Sequence, residues 1–314
     1  MSSMLTDILE TALPASTSVA LAASGEMLNE RAGTLNLGQE GTLSLGAVAA
    51  FIVGTNTDNP FLALAVGVLV GALAGIAFAT AAVVIRANQV LAGLALAVGG
   101  IGLANQLGNG RQGDLLLSRF EPVEIPILSD IPLIGEALFN QDPVVYFAFY
   151  VLPVVLWFLL FQTRHGMNLR AVGENPAAAD AVGVNVTGMR FAYATIGAAL
   201  SGAGGAHLVL GYTQNWSIGV VSGAGWVSLA VVIFAAWRPF LVVLGSLLFG
   251  AMTSLGFVAQ ARGWDVPSYV LAMLPYIVTL VLILVPAGLA GFSPRLRASA
   301  APASLAVPYF REDR

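Results

Sequence analysis

Cysteine is absent from the 314 residues of the chain, and so is lysine, because all 13 basic residues are arginine. The lack of cysteine excludes disulfides, thiolate chemistry and cysteine-ligated metals. Only two histidines occur, His165 and His207, and their wide separation gives little basis for a metal site. Without lysine, the chain cannot contain the phosphate-binding loop that ends in Gly-Lys. We therefore expect no cofactor, no bound metal and no catalytic residues.

Charged residues are scarce, at 10% of the chain, against about 25% in a soluble domain. Hydrophobic residues make up 57%, and the mean hydropathy is +0.84. A single globular core could not bury that many apolar side chains, so lipid is the natural solvent. The net charge of −4 gives no indication of nucleic-acid binding. The composition predicts an all-α polytopic membrane protein in contact with membrane lipid.

Transmembrane helices can be located by length, because a helix needs about 20 apolar residues to cross the hydrocarbon core. This criterion predicts about 8–10 transmembrane helices, some of them broken or re-entrant. The span at 225–237 is too short to cross alone and is expected to be half of a broken element. The second span is doubtful as a straight helix, because Gly38, Gly41 and Gly46 interrupt it. The predicted spans are 5–24, 35–54, 61–85, 88–107, 143–162, 191–212, 225–237, 239–260 and 268–287.

Arginine placement predicts the orientation, since cytoplasmic loops carry the excess of basic residues. If the 163–190 loop is cytoplasmic, ten of the 13 arginines lie inside, and the three outside are Arg111, Arg119 and Arg262. The transmembrane domain is then 1–292. Within it, 108–142 is an external loop, either a solvated connector or a docking surface for an outside partner. Residues 293–314 form a cytoplasmic tail, which we expect to be loosely ordered.

The stretch 25–41 places three carboxylates, an arginine and two asparagines between two apolar runs. Ionisable residues at membrane depth are costly and usually face a bundle interior or a cavity. Asn36-Leu37-Gly38 favours a helix break, and Glu40 follows it near the N-terminus of the next helix. Two interpretations stay open: a cytoplasmic turn with solvated charges, or a broken helix beside a solute pathway in which Glu26 or Glu30 pairs with Arg31. The pathway candidates are Glu26, Glu30, Arg31, Asn36, Glu40, Asn88 and Gln89.

A second polar stretch, 164–183, ends in clear helix signals. Asn175 is an expected N-cap, Pro176 the first helical residue and Gly183 the stop. The predicted helix over 176–182 is short, and isolated helices below about 12–15 residues are marginal in water. It therefore either docks into a partner or is a capped turn packed on its own bundle. The candidate coupling residues are Arg170, Gly173, Glu174, Asn175, Pro176, Ala178, Asp180 and Gly183.

Three further features are best interpreted as structural. Gly67, Gly71 and Gly75 recur at four-residue spacing, which predicts close helix packing in lipid. His207 lies among glycines and is expected to be a satisfied packing residue and not a proton relay. Pro239 cannot continue a helix from residue 235, so a kink or turn is expected there.

The two polar stretches, in this order and separation, resemble the permease subunits of ATP-binding-cassette importers in the branch for simple sugars, nucleosides and branched-chain amino acids. The matching segments are Gly-Glu…Glu-Arg-Ala-Gly-Thr-Leu-Asn-Leu-Gly-Gln-Glu-Gly at 25–41 and Asn-Leu-Arg-Ala-Val-Gly-Glu-Asn-Pro at 168–176. The resemblance runs from about residue 15 to about residue 290. Gln39 departs from it, because the family pattern has an aliphatic residue there, and this leaves the finer grouping open.

This resemblance implies a multi-pass subunit in the cytoplasmic membrane of a prokaryote that forms the pathway for a small polar solute, a nucleoside or a simple sugar. The implied partners are cytoplasmic ATPase subunits, a second permease subunit (homologous or identical) and an external solute-binding protein. The helix that begins at Pro176 would lie in a groove of the ATPase.

Two other classes of function compete with a permease. An ion-coupled secondary transporter usually carries carboxylates in mid-membrane, but the third to ninth spans have none and the acidic cluster is confined to 26–40. An intramembrane enzyme would need a Ser/His/Asp, paired-Asp or His-rich arrangement, and the spans offer none. The sequence favours a non-catalytic membrane subunit, with ATP hydrolysed by a separate ATPase subunit.

Overall fold

The computed structural model of the chain describes residues 4–131, 135–289 and 301–311. The regular structure of these residues is almost entirely helical, which confirms the predicted fold class. One short antiparallel pair joins β1 (Val123–Glu124) to β2 (Asn140–Gln141). The helices are α1 (Met4–Arg31), α2 (Gln39–Gly54), α3 (Pro60–Ala79), α4 (Gln89–Leu107), α5 (Gly135–Phe139), α6 (Pro143–Tyr146), α7 (Leu152–Gln162), α8 (Arg164–Glu174), α9 (Pro176–Ala181), α10 (Val186–His207), α11 (Ala224–Phe234), α12 (Pro239–Ala261) and α13 (Ser268–Leu289).

Several helices are suited to cross a membrane. Three of them include a short π-helical stretch: Thr80–Val84 after α3, Phe147–Val151 between α6 and α7, and Leu208–Tyr212 after α10. Helices α2 and α11 are apolar but shorter, at 16 and 11 residues. Among the described residues, five helical stretches are long and apolar enough to cross: Pro60–Val84, Gln89–Leu107, Pro143–Gln162, Val186–Tyr212 and Pro239–Ala261.

Helix α3 packs tightly on α10 through the predicted glycine repeat. A Cβ atom added at Gly71 would lie 2.5 Å from the carbonyl oxygen of Ala198, and one at Gly67 would lie 2.7 Å from the Cβ of Ala206. Real side chains do not fit at such distances, so small residues are required for the two backbones to approach. The packing interpretation of the repeat is confirmed.

The glycines of the second predicted span have a different role from the expected one. Helix α2 runs from Gln39 to Gly54, so Gly38 lies in the break before it as expected, but the expectation that Gly41 and Gly46 interrupt the helix was wrong. A Cβ at Gly41 would lie 2.2 Å from the carbonyl oxygen of Leu96, and one at Gly46 would lie 2.4 Å from that of Gly202. The glycines bring α2 against α4 and α10, which offsets their cost of about 1 kcal/mol each in a helix.

The expected broken element follows α10. The chain is not helical from 213 to 223, and α11 then begins at Ala224 and ends after 11 residues. Ala236 and Trp237 have positive φ angles of 49° and 55°, and Pro239 is the first residue of α12. The predicted half-helix and the turn before Pro239 are both confirmed.

Long-range backbone hydrogen bonds define two ends of the bundle. Phe120 donates to the carbonyl oxygen of Leu210 at 3.0 Å, and Ser118 donates to that of Gly54 at 3.0 Å. We call this the loop end: residues 108–131 with the C-terminal ends of α2 and α10.

The tail end comprises residues 301–311 with α8 and α9. There Ser304 donates its N–H to the carbonyl oxygen of Gly173 at 2.9 Å. The expectation of a loosely ordered tail was wrong for 301–311, because specific polar bonds hold this segment against α8. Residues 293–300 and 312–314 lie outside the described residues.

Candidate functional site: helix interruptions, coupling helices and a cavity

The first helix interruption, 32–38 between α1 and α2, is organised by the buried Glu26 carboxylate. Glu26 accepts hydrogen bonds from the side chain of Gln39 at 2.5 Å and from the backbone N–H of Asn36 at 2.9 Å. Gln39 in turn accepts a hydrogen bond from the hydroxyl of Ser201 on α10. A buried carboxylate is tolerated when its oxygens are satisfied in this way. The structure therefore favours the broken helix over the solvated turn.

Two asparagines complete this network. Asn29 donates to Glu26 at 3.1 Å and accepts a hydrogen bond from the hydroxyl of Thr34. The side-chain oxygen of Asn36 accepts from the backbone N–H of Gly38 at 2.8 Å, which turns the chain into α2. The break that the sequence placed at 36–38 is thus held by side chains from both flanking helices.

The second interruption, 213–223, is joined to α2 by Glu40. The Glu40 carboxylate accepts from the backbone N–H of Gly223 at 2.7 Å and of Gly225 at 2.8 Å. These donors lie at the N-terminus of α11, where N–H groups lack intrahelical acceptors and the helix dipole favours an anion. Glu40 also lies in the first turn of α2, so one carboxylate serves the N-termini of two helices. Sequence reasoning found only the first of these, because Gly223 lies 183 residues away.

Glu30 and Arg31 both contact Trp237. Glu30 accepts from the indole N–H of Trp237 at 2.6 Å, and Arg31 donates from Nη2 to the carbonyl oxygen of Trp237 at 2.9 Å. Within the described residues Arg31 pairs with neither Glu26 nor Glu30, so that expectation was wrong; adjacent residues on a helix do not face each other. Both contacts hold the α11–α12 connection against the end of α1.

Gln89 reaches the first interruption and Asn88 does not. The buried Gln89 side chain accepts from the backbone N–H of Leu35 at 2.9 Å. Asn88 is exposed and caps α4 by accepting from the N–H of Leu91 at 3.1 Å. The polar pair therefore divides into a network member and a helix cap.

Helix α9 forms as its sequence signals predict. Asn175 caps it by accepting from the backbone N–H of Ala178 at 3.0 Å, and Pro176 is its first residue. Gly183 has a φ of +88°, the left-handed conformation that glycine adopts at little cost. The helix ends at Ala181, one residue before the predicted end.

The two faces of α9 differ. Ala179 is buried and packs with Val172 and Val186, so this face rests on the protein's own helices. Ala178 is exposed, and Val182 just beyond the helix is 80% exposed. The buried face agrees with packing on the protein's own bundle, and docking into a partner stays a prediction for the exposed face.

Helix α8 lies close to the end of α1. A Cβ atom at Gly173 would lie 2.2 Å from the carbonyl oxygen of Arg31, so only glycine allows this approach. The guanidinium of Arg170 lies 5.1 Å from the centre of the Phe161 ring, a cation–π distance. These contacts of Gly173 and Arg170 position α8 within the protein. They do not direct either residue to a partner.

The two acidic coupling candidates contact the C-terminal segment. Asp180 forms an ion pair with Nε of Arg311 at 3.1 Å, and Glu174 accepts from the backbone N–H of Ala303 at 3.3 Å. From the sequence, both residues are candidates for coupling to a partner. The structure instead gives each an acceptor role within the same chain.

The sequence did not indicate that His207 and Asp142 form a buried pair. His207 Nε2 lies 2.9 Å from Asp142 Oδ2, and Asp142 also accepts from the backbone N–H groups of Val144 and Val145. Burial raises the pKa of the Asp142 carboxyl, but His207 and the two N–H groups outweigh it, so the pKa is lowered overall. Nε2 of His207 thus has a partner, but among the described residues its buried Nδ1 has none, so the expectation of a satisfied residue holds for one ring nitrogen only. The pair was missed because the sequence placed Asp142 in a solvated loop.

A cavity of about 390 Å³ opens beside the second interruption, within the size range of small-molecule sites. It lies between α1, the end of α10, α12 and α13. None of the described residues that line it has a charged side chain. Ser18 lines it, and among the described residues its buried hydroxyl has no hydrogen-bond partner. Polar and aromatic lining residues include Ser18, Tyr212, Thr213, Ser222, Thr253, Gln260 and Tyr276.

Comparisons with known proteins agree on one family. The family model described as "Branched-chain amino acid transport system / permease component" matches residues 8–286. The nucleoside ABC transporter permease protein NupC of Lactococcus lactis is 35% identical over 85% of this chain and 88% of its own. The guanosine ABC transporter permease protein NupQ of Bacillus subtilis is 31% identical over 94% and 93%.

A third relative has a sugar in its name. The TsgC13 protein of Haloferax volcanii, provisionally named a glucose ABC transporter permease protein, is 37% identical over 81% of this chain and 78% of its own. No solved structure matches the chain.

Proposed function

We propose a mechanism for this chain as a subunit of the family to which it belongs, the permease components of branched-chain amino acid transport systems. It is a transmembrane permease subunit of an ATP-binding-cassette importer in the cell membrane of a prokaryote. Subunits of this family are normally non-catalytic and work with an ATPase and a solute-binding protein. In this chain we infer a second permease subunit, identical or homologous, as a further partner.

The tail end is proposed as cytoplasmic and the loop end as external, with 163–190 as the coupling loop. Arginine distribution supports this orientation, because Arg111 and Arg119 lie in the loop-end segment while Arg31, Arg170 and Arg190 lie near α8. The 108–142 segment would then face the solute-binding protein.

The observation that carries the proposal is the geometry of α9. A capped helix of six residues, with one face on its own bundle and Ala178 and Val182 exposed on the other, is suited to lie in a groove of the ATPase. Such a helix is too short to be stable alone, so a partner that covers it adds stability. Movement of the ATPase would reach the bundle through the buried face of Ala179.

The cavity supports a neutral solute. A charged solute would lose its hydration at an uncharged lining without gaining an ion pair, which is costly. Hydroxyl and amide groups beside Tyr212 and Tyr276 suit a molecule with both hydroxyls and a flat or apolar face. The names of the relatives, nucleoside, guanosine and glucose, agree with this chemistry. We propose that the solute is a nucleoside or a simple sugar and that this cavity is part of its path.

The test uses the purified complex with its ATPase and solute-binding protein. A nucleoside or a sugar should stimulate ATP hydrolysis, and a branched-chain amino acid should not. Ala178→Trp should clash in the groove, and Gly183→Val should strain the left-handed residue by about 1 kcal/mol or more. Both variants should insert normally but lose ATPase co-purification or solute-stimulated hydrolysis.

Leu115→Trp is the matched control, because it places the same bulky side chain at an exposed loop-end position. It should keep co-purification of the ATPase. Wild-type association and coupling in both Ala178→Trp and Gly183→Val would show that α9 is not the coupling element.

A further inference from the structure

The C-terminal segment 301–311 is bonded to several helices that the proposed coupling loop must move. Ser304 is the first contact. Its hydroxyl donates to the carbonyl oxygen of Gly173 at 2.6 Å, and its N–H donates to the same oxygen at 2.9 Å. Gly173 is the penultimate residue of α8, and carbonyl groups in the last turn of a helix lack intrahelical donors. Ser304 therefore satisfies the end of α8 from outside the helix.

Arg190 on α10 is the second contact, and it is buried. Its guanidinium donates to Ala32 at 3.1 Å and Val307 at 2.8 Å through their carbonyl oxygens, and to the hydroxyl of Ser304 at 2.9 Å. One planar side chain thus joins the end of α1, the start of α10 and the C-terminal segment. Two of its three acceptors belong to 301–311, so without that segment a buried cation would lose most of its hydrogen bonds.

The distal part of the segment reaches α9. Arg311 forms the ion pair with Asp180, and Tyr309 packs with the buried cluster of Val172, Ala179 and Val186. This is the buried face of α9 described above. The segment therefore supports α9 from the side opposite to its exposed residues.

Phe310 provides a further anchor outside the coupling loop. The guanidinium of Arg86, in the α3–α4 connection, lies 4.9 Å from the centre of the Phe310 ring. The segment is therefore bonded at one end to α8 and α10 and at the other to α9 and the α3–α4 connection.

We propose that residues 301–311 act as a strap that positions the coupling helices α8 and α9 on the transmembrane bundle, with Arg190, Ser304 and Arg311 as its positioning residues. The inference rests on the proposed coupling function of α9. Force on α9 reaches the bundle through the contacts that fix α9 to it. The strap adds hydrogen bonds from Arg190 of α10 to Ser304 and Val307. A loosened strap lets α9 move without moving the bundle, so ATP is hydrolysed without uptake.

The first test removes the strap by a stop codon at residue 301. The readout is the amount of solute taken up per ATP hydrolysed in proteoliposomes that contain the whole complex. This ratio should fall by about tenfold, the factor that corresponds to one lost hydrogen bond to a charged group. The ATPase should still co-purify, because the exposed face of α9 is unchanged. An unchanged ratio would overturn the proposal.

The second test does not depend on the folding of a truncated chain. Arg311→Asp and Asp180→Arg each place two like charges together and should lower the ratio by about two- to fivefold, as expected for an exposed ion pair. The double exchange restores opposite charges and should recover the ratio. Arg314→Asp makes the same change three residues later and is the matched control. Singles without effect, or a double variant as defective as the singles, would contradict the strap.

The outcome also separates the strap from the proposed coupling function. If Ala178→Trp and Gly183→Val uncouple the complex while every strap variant stays coupled, α9 couples without a strap. If the α9 variants remain coupled as well, the coupling function itself is wrong.

Discussion

The two helix interruptions are both held by a glutamate, yet they lie in different surroundings. At the first, Glu26 is enclosed by Gln39, by Asn36 and by the other polar groups of its network, and it is fully buried. At the second, Glu40 holds the backbone of Gly223 from one side, and the proposed solute cavity opens on the other.

The contacts of the two interruptions indicate which of them can rearrange. The first network joins α1, α2 and α10 through side chains whose hydrogen bonds satisfy one another, and breaking one leaves a buried group unpaired. The second is held by the Glu40 carboxylate on two backbone N–H groups and by the Tyr276 hydroxyl on the carbonyl oxygen of Ser222. It lies beside a space that can admit water. We infer that the first interruption is a fixed support and the second is the part of the pathway that rearranges when solute passes.

The largest expected effect follows from removing the carboxylate of Glu40. Glu40→Ala deprives the N-terminus of α11 of two charge-assisted hydrogen bonds, together about 3 kcal/mol or more. Solute uptake should fall by about 100-fold at an equal amount of subunit in the membrane. Glu40→Gln keeps one acceptor oxygen and should lose about tenfold.

Asp265→Ala is the control for this prediction, since it removes an exposed carboxylate in the connection between α12 and α13. Uptake by this variant should match that of the unchanged protein. Near-normal uptake with Glu40→Ala would show that the second interruption does not need its anion.

A smaller effect is expected at the first interruption, where Gln39 bonds to both Glu26 and Ser201. Gln39→Leu leaves Glu26 with one hydrogen bond fewer and Ser201 without this acceptor, at a cost of about 1–3 kcal/mol in unfolding free energy. Ser201→Ala should cost less, and the double variant should cost less than the sum, with a coupling energy of about 0.5–3 kcal/mol. Denaturant unfolding of the purified complex measures it. Additive costs would mean that the Gln39–Ser201 bond contributes nothing to this support.

The sequence predicted helix starts and ends better than it predicted contacts between residues that are distant in the chain. Asn175, Pro176 and Gly183 define α9 because capping and the left-handed stop depend on neighbours within a few residues. Likewise, Pro239 indicated the turn before α12. The partners of Glu40 and His207 lie 183 and 65 residues away, and no periodicity in the sequence connects them.

The C-terminal segment shows the same limit. Its content of alanine, serine and proline is typical of loose tails. Its order comes from Arg190, whose need for hydrogen-bond acceptors becomes evident only when α10 buries it. The sequence identified which segments interrupt helices, and the folded bundle determines which side chains hold them.

The smallest perturbation that separates the two interruptions is a single cysteine, because the chain has none of its own. Thr253→Cys lies on the cavity lining beside the second interruption, and Ser201→Cys replaces a fully buried hydroxyl of the first network. A small charged thiol reagent should modify Thr253→Cys at least about ten times faster, since each 1.4 kcal/mol of opening free energy lowers the reactive population tenfold. Solute should slow the reaction of Thr253→Cys and leave that of Ser201→Cys unchanged, because only residue 253 lines the cavity proposed for the solute. Equal rates at the two positions would mean that both interruptions open alike, and the distinction between a fixed support and a moving one would fail.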